Sequence, residues 1–325
     1  MAGTFGVITG ESGIAFDQTG RLLISGSAEN VSVWSLRQGS ALKTLVGPRG
    51  GQDQDKACAE VTCLARAPGS SNQVAVGYSD GTVRIWDVER GSCEVTLSGH
   101  KTAVTGKSAS RQEKSERSPT HAADPMPCAA LRYDKSGSML ASGSKDTDVV
   151  LWDVPGETGL FRLRGHTGQV TDLVFLSSRR KLVTASKDNL VKVWDLDTQH
   201  CCQTVIGHRS EVWSLDVDPS EKRVVTGSAD AEIRVFHVLP NEGDRTRSAE
   251  HASTSAGISA ANKDVLEAMG SLRRQASERV QEVRFSPSGE VLGVLSAGKL
   301  LELFKVRSDA EVAKHLRRRK KRRYG

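Results

Sequence analysis

A pattern that returns at a fixed interval dictates a series of like modules, because each copy repeats the same buried and exposed positions. In this chain Gly165-His166 and Gly207-His208 lie 42 residues apart (208 − 166). Trp152 and Trp194 keep the same interval (194 − 152), and Phe236 follows Trp194 by another 42 (236 − 194). Between these marks run stretches such as Val191-Lys192-Val193-Trp194, which alternate apolar and polar residues with the period of a strand. Turn-forming residues separate the stretches, as in Asp134-Lys-Ser-Gly137 and Ser286-Pro-Ser-Gly289. No helix falls between the strands of a unit, so each unit is expected to be a small antiparallel sheet that buries its faces against its neighbours.

Six such units can be counted. They centre on Ser25 and Trp34, Val76 and Trp86, Ser142 and Trp152, Thr184 and Trp194, Thr226 and Phe236, and a worn sixth from Val283 to Phe304. A glycine-histidine, a serine or threonine, an aspartate and a tryptophan-aspartate at this period are the signature of an all-β fold, the WD-repeat β-propeller, with four strands to a blade. Such rings usually hold seven blades, so either the ring closes with six or, the favoured expectation, the remaining blade belongs to sequence beyond Gly325. The propeller is expected over residues 1–306, broken by polar insertions at about 106–127 and 240–276, with a basic helical tail over 307–325. The first insertion is polar and aperiodic and reads as a disordered loop. Within the second, Val265, Leu266, Met269 and Leu272 fall near one face of a short helix over Lys263 to Arg274.

Hydrophobic content of 37% and charged content of 26% fit a globular protein. No apolar run approaches the roughly 18–20 residues of a spanning helix, and the first residues lack the basic-then-apolar order of a secretory signal. The six cysteines form no Cys-x-x-Cys pair, so no metal site is expected, and the thiols read as reduced. No phosphate-cradling Gly-x-x-x-x-Gly-Lys-Ser/Thr stretch occurs, and no cofactor is expected.

One constellation has the composition of a hydrolytic triad: His100, Ser142 and Asp146, beside Trp152. It recurs as His166, Thr184, Asp188 and Trp194, and in part as His208, Thr226 and Asp230 with Phe236 in the tryptophan's place. A nucleophilic site is needed once, with an oxyanion hole. A set copied from unit to unit is a buried hydrogen-bonded network that ties a loop to its strands. No catalytic residue is therefore expected. The first two units depart from the pattern, because neither follows a Gly-His and Val76 stands at the Ser/Thr place.

The net charge of +6 is uneven. Arg317, Arg318, Arg319, Lys320, Lys321, Arg322 and Arg323 are consecutive, and without them the rest carries −1 (6 − 7). Acidic residues early and cations late in the segment from Ser308 favour a helix. The basic run suits a nuclear or nucleolar address and contact with a phosphate backbone.

Beyond the repeat, Ala141-Ser-Gly-Ser-Lys-Asp-Thr-Asp148, Trp194-Asp-Leu-Asp-Thr-Gln-His-Cys201 and Gly207-His-Arg-Ser-Glu-Val-Trp213 resemble the first propeller of the WD repeat-containing protein three family. Its members are tandem-propeller UTP-B subunits of the small-subunit processome. Phe5-Gly-Val-Ile8 and the basic segment near the end are similar to it too, and the likeness runs from about Phe5 to Arg323 outside the insertions. The resemblance implies a nucleolar scaffold in ribosome biogenesis, with other UTP-B proteins, pre-ribosomal RNA and small nucleolar RNA as partners. It also implies a second propeller and a C-terminal helical domain that this sequence does not include. The alternative is a substrate receptor of a ubiquitin ligase: Trp34-Ser-Leu-Arg37 partly resembles the Trp-Asp-x-Arg adaptor motif but lacks its aspartate.

Overall fold

A strand that alternates apolar and polar residues satisfies its backbone only beside another strand, and the repeats of this chain fold accordingly. The computed structural model describes residues 14–46, 59–100, 130–239 and 265–307, apart from 17–20, 28, 36, 39, 69–71 and 299. The first insertion, the tail with Arg317 to Arg323, and Phe5 to Ile8 lie outside the described residues. The chain divides into two compact units, Met1–Ser177 and Ser178–Gly325.

In the first unit, β1 (Ile14–Phe16), β2 (Leu22–Ser27), β3 (Asn30–Ser35) and β4 (Ser40–Val46) pair in chain order, as do β5 (Val61–Arg66), β6 (Gln73–Tyr78), β7 (Thr82–Asp87) and β8 (Ser92–Ser98). A third sheet joins β9 (Leu131–Tyr133), β10 (Met139–Gly143), β11 (Val149–Asp153) and β12 (Thr158–Leu163), and β13 (Val170–Leu176) follows. The second unit holds β14 (Lys181–Ser186), β15 (Leu190–Asp195) and β16 (His200–Ile206). It continues with β17 (Val212–Val217), β18 (Arg223–Ser228), β19 (Glu232–Val238) and β20 (Leu266–Arg273), then with β21 (Val280–Phe285), β22 (Val291–Ser296) and β23 (Leu301–Lys305). All pairs are antiparallel between chain neighbours, the meander of a β-propeller blade. Among the described residues the six units counted in the sequence correspond to six sheets, and the worn sixth shows three strands.

Core formation follows from the strand faces. Ile24, Val31 and Val33 of the first sheet bury against Val74, Val76 and Trp86 of the second, and Ala75 and Ile85 of the second against Leu140 and Trp152 of the third. In the second unit Val225 and Ile233 pack on Val280, Val283, Leu292 and Val294. Within each unit these blades thus remove one another's apolar faces from water, at about 25 cal/mol per Å².

One feature recurs where the third strand meets the fourth. The register slips at Val33/Trp34, Ile85/Trp86, Leu151/Trp152, Val193/Trp194 and Val235/Phe236. A bulge of this kind re-aims the side chain beside it, and here it falls at the aromatic residue every time.

The helix expected over Lys263 to Arg274 is not formed, because Leu266–Arg273 is strand β20 and pairs with β19 from Glu232↔Arg273 to Val238↔Leu266. The insertion expected to reach residue 276 therefore yields to a strand at Leu266. The apolar spacing misleads because only Val265 and Leu266 are buried, whereas Met269 and Leu272 are exposed. What places the segment is the open edge of β19, whose N–H and C=O groups need partners.

Candidate functional site

The periodic constellation lies where one blade hands the chain to the next. In the third blade it is complete. Trp152 Nε1–H donates to Ser142 Oγ at 2.9 Å, Ser142 Oγ lies 2.7 Å from His100 Nε2, and His100 Nδ1 lies 3.2 Å from Asp146 Oδ2. A single direction of donation satisfies all four groups. The indole donates to the hydroxyl oxygen, the hydroxyl hydrogen goes to Nε2, and Nδ1–H goes to the carboxylate, so His100 is a neutral imidazole. Burial lowers its pKa, partly opposed by the Asp146 charge and hydrogen bond. Arg162 reaches Asp146 at 3.6 Å and Asp148 at 2.8 Å and balances the buried carboxylate.

Local geometry demands these residues. Gly99 precedes His100 because a Cβ there would sit 2.5 Å from the Trp152 ring. Asp146 also caps its own turn, accepting the Asp148 N–H at 3.1 Å, and Thr147 takes a left-handed φ of 70° to permit it. Ser142 has the order of partners of a triad serine but is wholly buried (0%). Its hydroxyl is taken up by Trp152, His100 and the Val150 carbonyl at 3.4 Å, and no face is open to a substrate. The arrangement therefore holds strands together.

Other blades show bonds of the same kind. Trp194 donates to Thr184 Oγ1 at 2.9 Å, and Asp188 accepts the Leu190 N–H at 3.0 Å beside Asn189 at φ 67°. His166 is buried near the end of the first unit. Trp34 finds Ser25 at 3.1 Å, and Trp86, lacking a hydroxyl at Val76, finds the Tyr78 phenol at 3.2 Å. Four blades thus satisfy a buried indole N–H, with a serine in two of them, a threonine in one and a tyrosine in one.

The fifth blade brings together two of the three polar residues assigned to it. Thr226 Oγ1 lies 2.9 Å from His208 Nε2, but His208 Nδ1 is buried with no partner, so Asp230 does not join the network. The cause is in the turn. Gly81, Thr147 and Asn189 follow the turn aspartate with positive φ, whereas Ala231 does not. Alanine resists that conformation, and the capping bond that Asp80, Asp146 and Asp188 make to the second residue beyond is missing. Burial, with the Arg234 charge, lowers the His208 pKa to about 4 against a weak opposing effect of Asp230.

Two anchors had no sequence signal strong enough to find them. Arg274 directly follows β20, as His208 follows β16 by two residues, and it is buried at 4% exposure. Its guanidinium donates to Ser296 Oγ at 3.0 Å and to the carbonyls of Asp230 (2.7 Å) and Glu278 (2.5 Å). Gln203 of β16 clasps the start of β20: its Oε1 accepts the Val265 and Leu266 N–H groups at 2.7 and 2.8 Å, and its Nε2 donates to the Leu266 carbonyl at 2.7 Å. The signal for Arg274 was its place after an outer strand, which a helical reading of that strand conceals.

Among the described residues no group of His, Cys, Asp and Glu could hold a metal ion, and no helix is long and apolar enough to cross a membrane.

Comparison with known proteins extends this description. Residues 111–238 match the family model of the WDR3 first beta-propeller domain, and residues 52–87 match the WD domain, G-beta repeat. The sheets are WD-repeat β-propeller blades, and the three stretches that carried the resemblance lie within the longer match. Pre-mRNA-processing factor 19 of Bos taurus is 26% identical over 177 residues, 48% of this chain and 33% of that protein. The WD repeat-containing protein 3 homolog of Dictyostelium discoideum is 32% identical over 102 residues, 31% of this chain and 10% of that protein. U3 small nucleolar RNA-associated protein 12 of Saccharomyces cerevisiae is 28% identical over 124 residues, 38% of this chain and 11% of that protein. The aligned stretches span a third or less of these relatives' own length.

Proposed function

We propose that this chain is a non-catalytic scaffold in ribosome biogenesis, part of a small-subunit processome assembled on pre-ribosomal RNA with a small nucleolar ribonucleoprotein. The observation that carries the reading is the match of residues 111–238 to the WDR3 first propeller, and two relatives with processome-related or family names support it. The geometry is in keeping with it. The recurring His-Ser-Asp-Trp set spends its hydrogen bonds inside the blades, as in the wholly buried Ser142, and leaves blade surfaces and loops to meet partners.

In this reading the partners are UTP-B proteins, pre-ribosomal RNA and small nucleolar RNA, and the location is the nucleolus within the nucleus. Arg317 to Arg323 add a salt-sensitive attraction to phosphate without reading sequence, since Tyr324 is the one aromatic residue beside them. The test is affinity purification of the tagged chain from nucleolar extract. Recovery of pre-ribosomal RNA and UTP-B subunits, diminished when the basic run is replaced by glutamine, is the expected result. Recovery of a cullin adaptor with no nucleolar particle would replace this reading with that of a ubiquitin-ligase receptor.

A further inference from the structure

In five blades the aromatic residue of the third strand meets a small residue of the fourth across the bulge: Trp34↔Ala41, Trp86↔Cys93, Trp152↔Gly159, Trp194↔Cys201 and Phe236↔Ala268. The ring leaves little room for more, since a Cβ at Gly159 would already lie 3.6 Å from the Trp152 ring. Four positions further on, each fourth strand sets an aliphatic residue opposite the third: Leu45 on Val31, Leu97 on Val83, Leu163 on Val149, Val205 on Val191 and Leu272 on Ile233. Midway between them stand Lys43, Val95, Phe161, Gln203 and Gly270, so that place is free to vary. A fourth strand of this molecule therefore reads small-x-x-x-aliphatic.

The sixth blade has a third strand with the same needs. Phe304 of β23 stands opposite Leu292 as Trp194 stands opposite Leu182. Among the described residues no strand pairs with the outer side of β23. The Ser296 N–H donates to the Leu300 carbonyl at 2.9 Å and the Val306 N–H to the Glu290 carbonyl at 2.8 Å. Backbone groups alternate along an antiparallel strand, so those of Glu302 and Phe304 turn to β22 and those of Leu301 and Leu303 point outward. Leu301 is 59% and Leu303 67% exposed, and Phe304 is half-buried, whereas the other five aromatic residues are at most 9% exposed. Neither proline nor bulge blunts this edge. It is also held in place: Phe304 and Val306 pack on the core of Val283 and Leu292, and Glu302 Oε1 accepts the Gln275 N–H at 2.7 Å.

We infer that β23 is a docking edge for an extended segment of a partner protein, which adds antiparallel as the blade's fourth strand. The segment sets a small residue opposite Phe304 and, four positions on, an aliphatic residue opposite Leu301. Main-chain bonds to Leu301 and Leu303 supply affinity, and the two side-chain positions fix the register. A small residue lets the strand close over the Phe304 ring and take it out of water. A second copy of β23 fits poorly: centred on Leu303 it would set Glu302 against Phe304, and Leu301–Lys305 holds no small residue. The inference adds a binding mode to the scaffold reading and draws on the blades alone.

The probe is a fluorescein-labelled peptide copying Ser40–Val46, which carries Ala41 and Leu45 at the two specified places. Titrated with the full chain, its anisotropy should rise and saturate. N-methylation at Lys43 or Leu45, whose N–H groups face β23 in this register, should weaken binding about tenfold, the loss of one hydrogen bond. N-methylation at Thr44, whose N–H points away, should have little effect. Ala41→Tyr in the peptide should weaken binding at least as much as the loss of a bond. In the chain, Leu303→Pro removes an outward N–H and no bond to β22, and should abolish binding. Should that variant fail to fold, the peptide series decides by itself. Flat anisotropy, or binding indifferent to the place of the methyl group or to Ala41→Tyr, would overturn the docking edge. A dimer in sedimentation that excludes the peptide would give the edge to a second copy and likewise overturn it. Failure here leaves nucleolar recovery untouched, and absence from nucleolar particles leaves the titration untouched.

Discussion

The third and fifth blades descend from one pattern but solve the same problem differently. In the third, four side chains pass hydrogen bonds from Trp152 through Ser142 and His100 to Asp146. In the fifth, Phe236 has no N–H to give, and only the bond between Thr226 and His208 survives. The fifth compensates from outside the pattern: Arg274 ties the Asp230 carbonyl to the sixth blade, and Gln203 holds the first residues of β20. What the comparison teaches is that the polar network is one way of fastening a blade, and that a blade short of it keeps its fold by borrowing bonds from its neighbours.

The largest expected effect tests the borrowed bonds. Arg274→Ala removes a buried cation and strands the Ser296 hydroxyl and two carbonyls, so it should cost about 3–5 kcal/mol of stability. Denaturant unfolding measures it. A loss below 1 kcal/mol would show that the fifth blade needs no outside anchor.

Next comes acid. His208 is held near 4 in the folded chain, against an ordinary value of 6.5. The unfolded chain therefore takes up a proton first as pH falls. The contribution is complete above about pH 6.5, drains away between 6.5 and about 4, and is worth up to about 3 kcal/mol. Amide exchange in β18 should accelerate over this window, and His208→Gln should flatten the dependence. Exchange in β10 should respond less, because Asp146 supports a proton on His100 and Asp230 is not bonded to His208.

A smaller difference separates the two histidines at neutral pH. His100→Ala leaves Ser142 and Asp146 each short of a partner and should cost about 2–3 kcal/mol, whereas His208→Ala strands Thr226 alone and should cost about 1–2. Equal losses would mean that the completeness of the network is energetically irrelevant. The smallest effect is Gln203→Ala, about 1 kcal/mol, read as faster exchange at Val265 and Leu266 with β10 unchanged.

Much of the third blade was legible in the sequence because its chemistry repeats: Gly-His, Ser, Asp and Trp at a fixed period describe both the strands and the bonds between them. The fifth blade was legible only to the extent that it repeats. Asp230 occupies the expected position, yet the residue that decides its fate is Ala231, where a missing left-handed turn cancels the cap. β20 escaped because an outer strand buries little: with Met269 57% and Leu272 40% exposed, burial does not impose a period of two, and chance spacing resembles a helix. Arg274 and Gln203 bond mainly to backbone, and backbone partners leave no mark in side-chain patterns.

The clasp at the start of β20 has a consequence for the chain between Leu239 and Val265. Its two ends are joined, Leu239 N–H to the Val265 carbonyl at 2.8 Å. The entropy of closing such a segment grows only logarithmically, by about 0.6 kcal/mol for each doubling of its length. With Leu239 and Val265 tied to each other, a longer chain between them would cost little, and β19 and β20 would stay zipped.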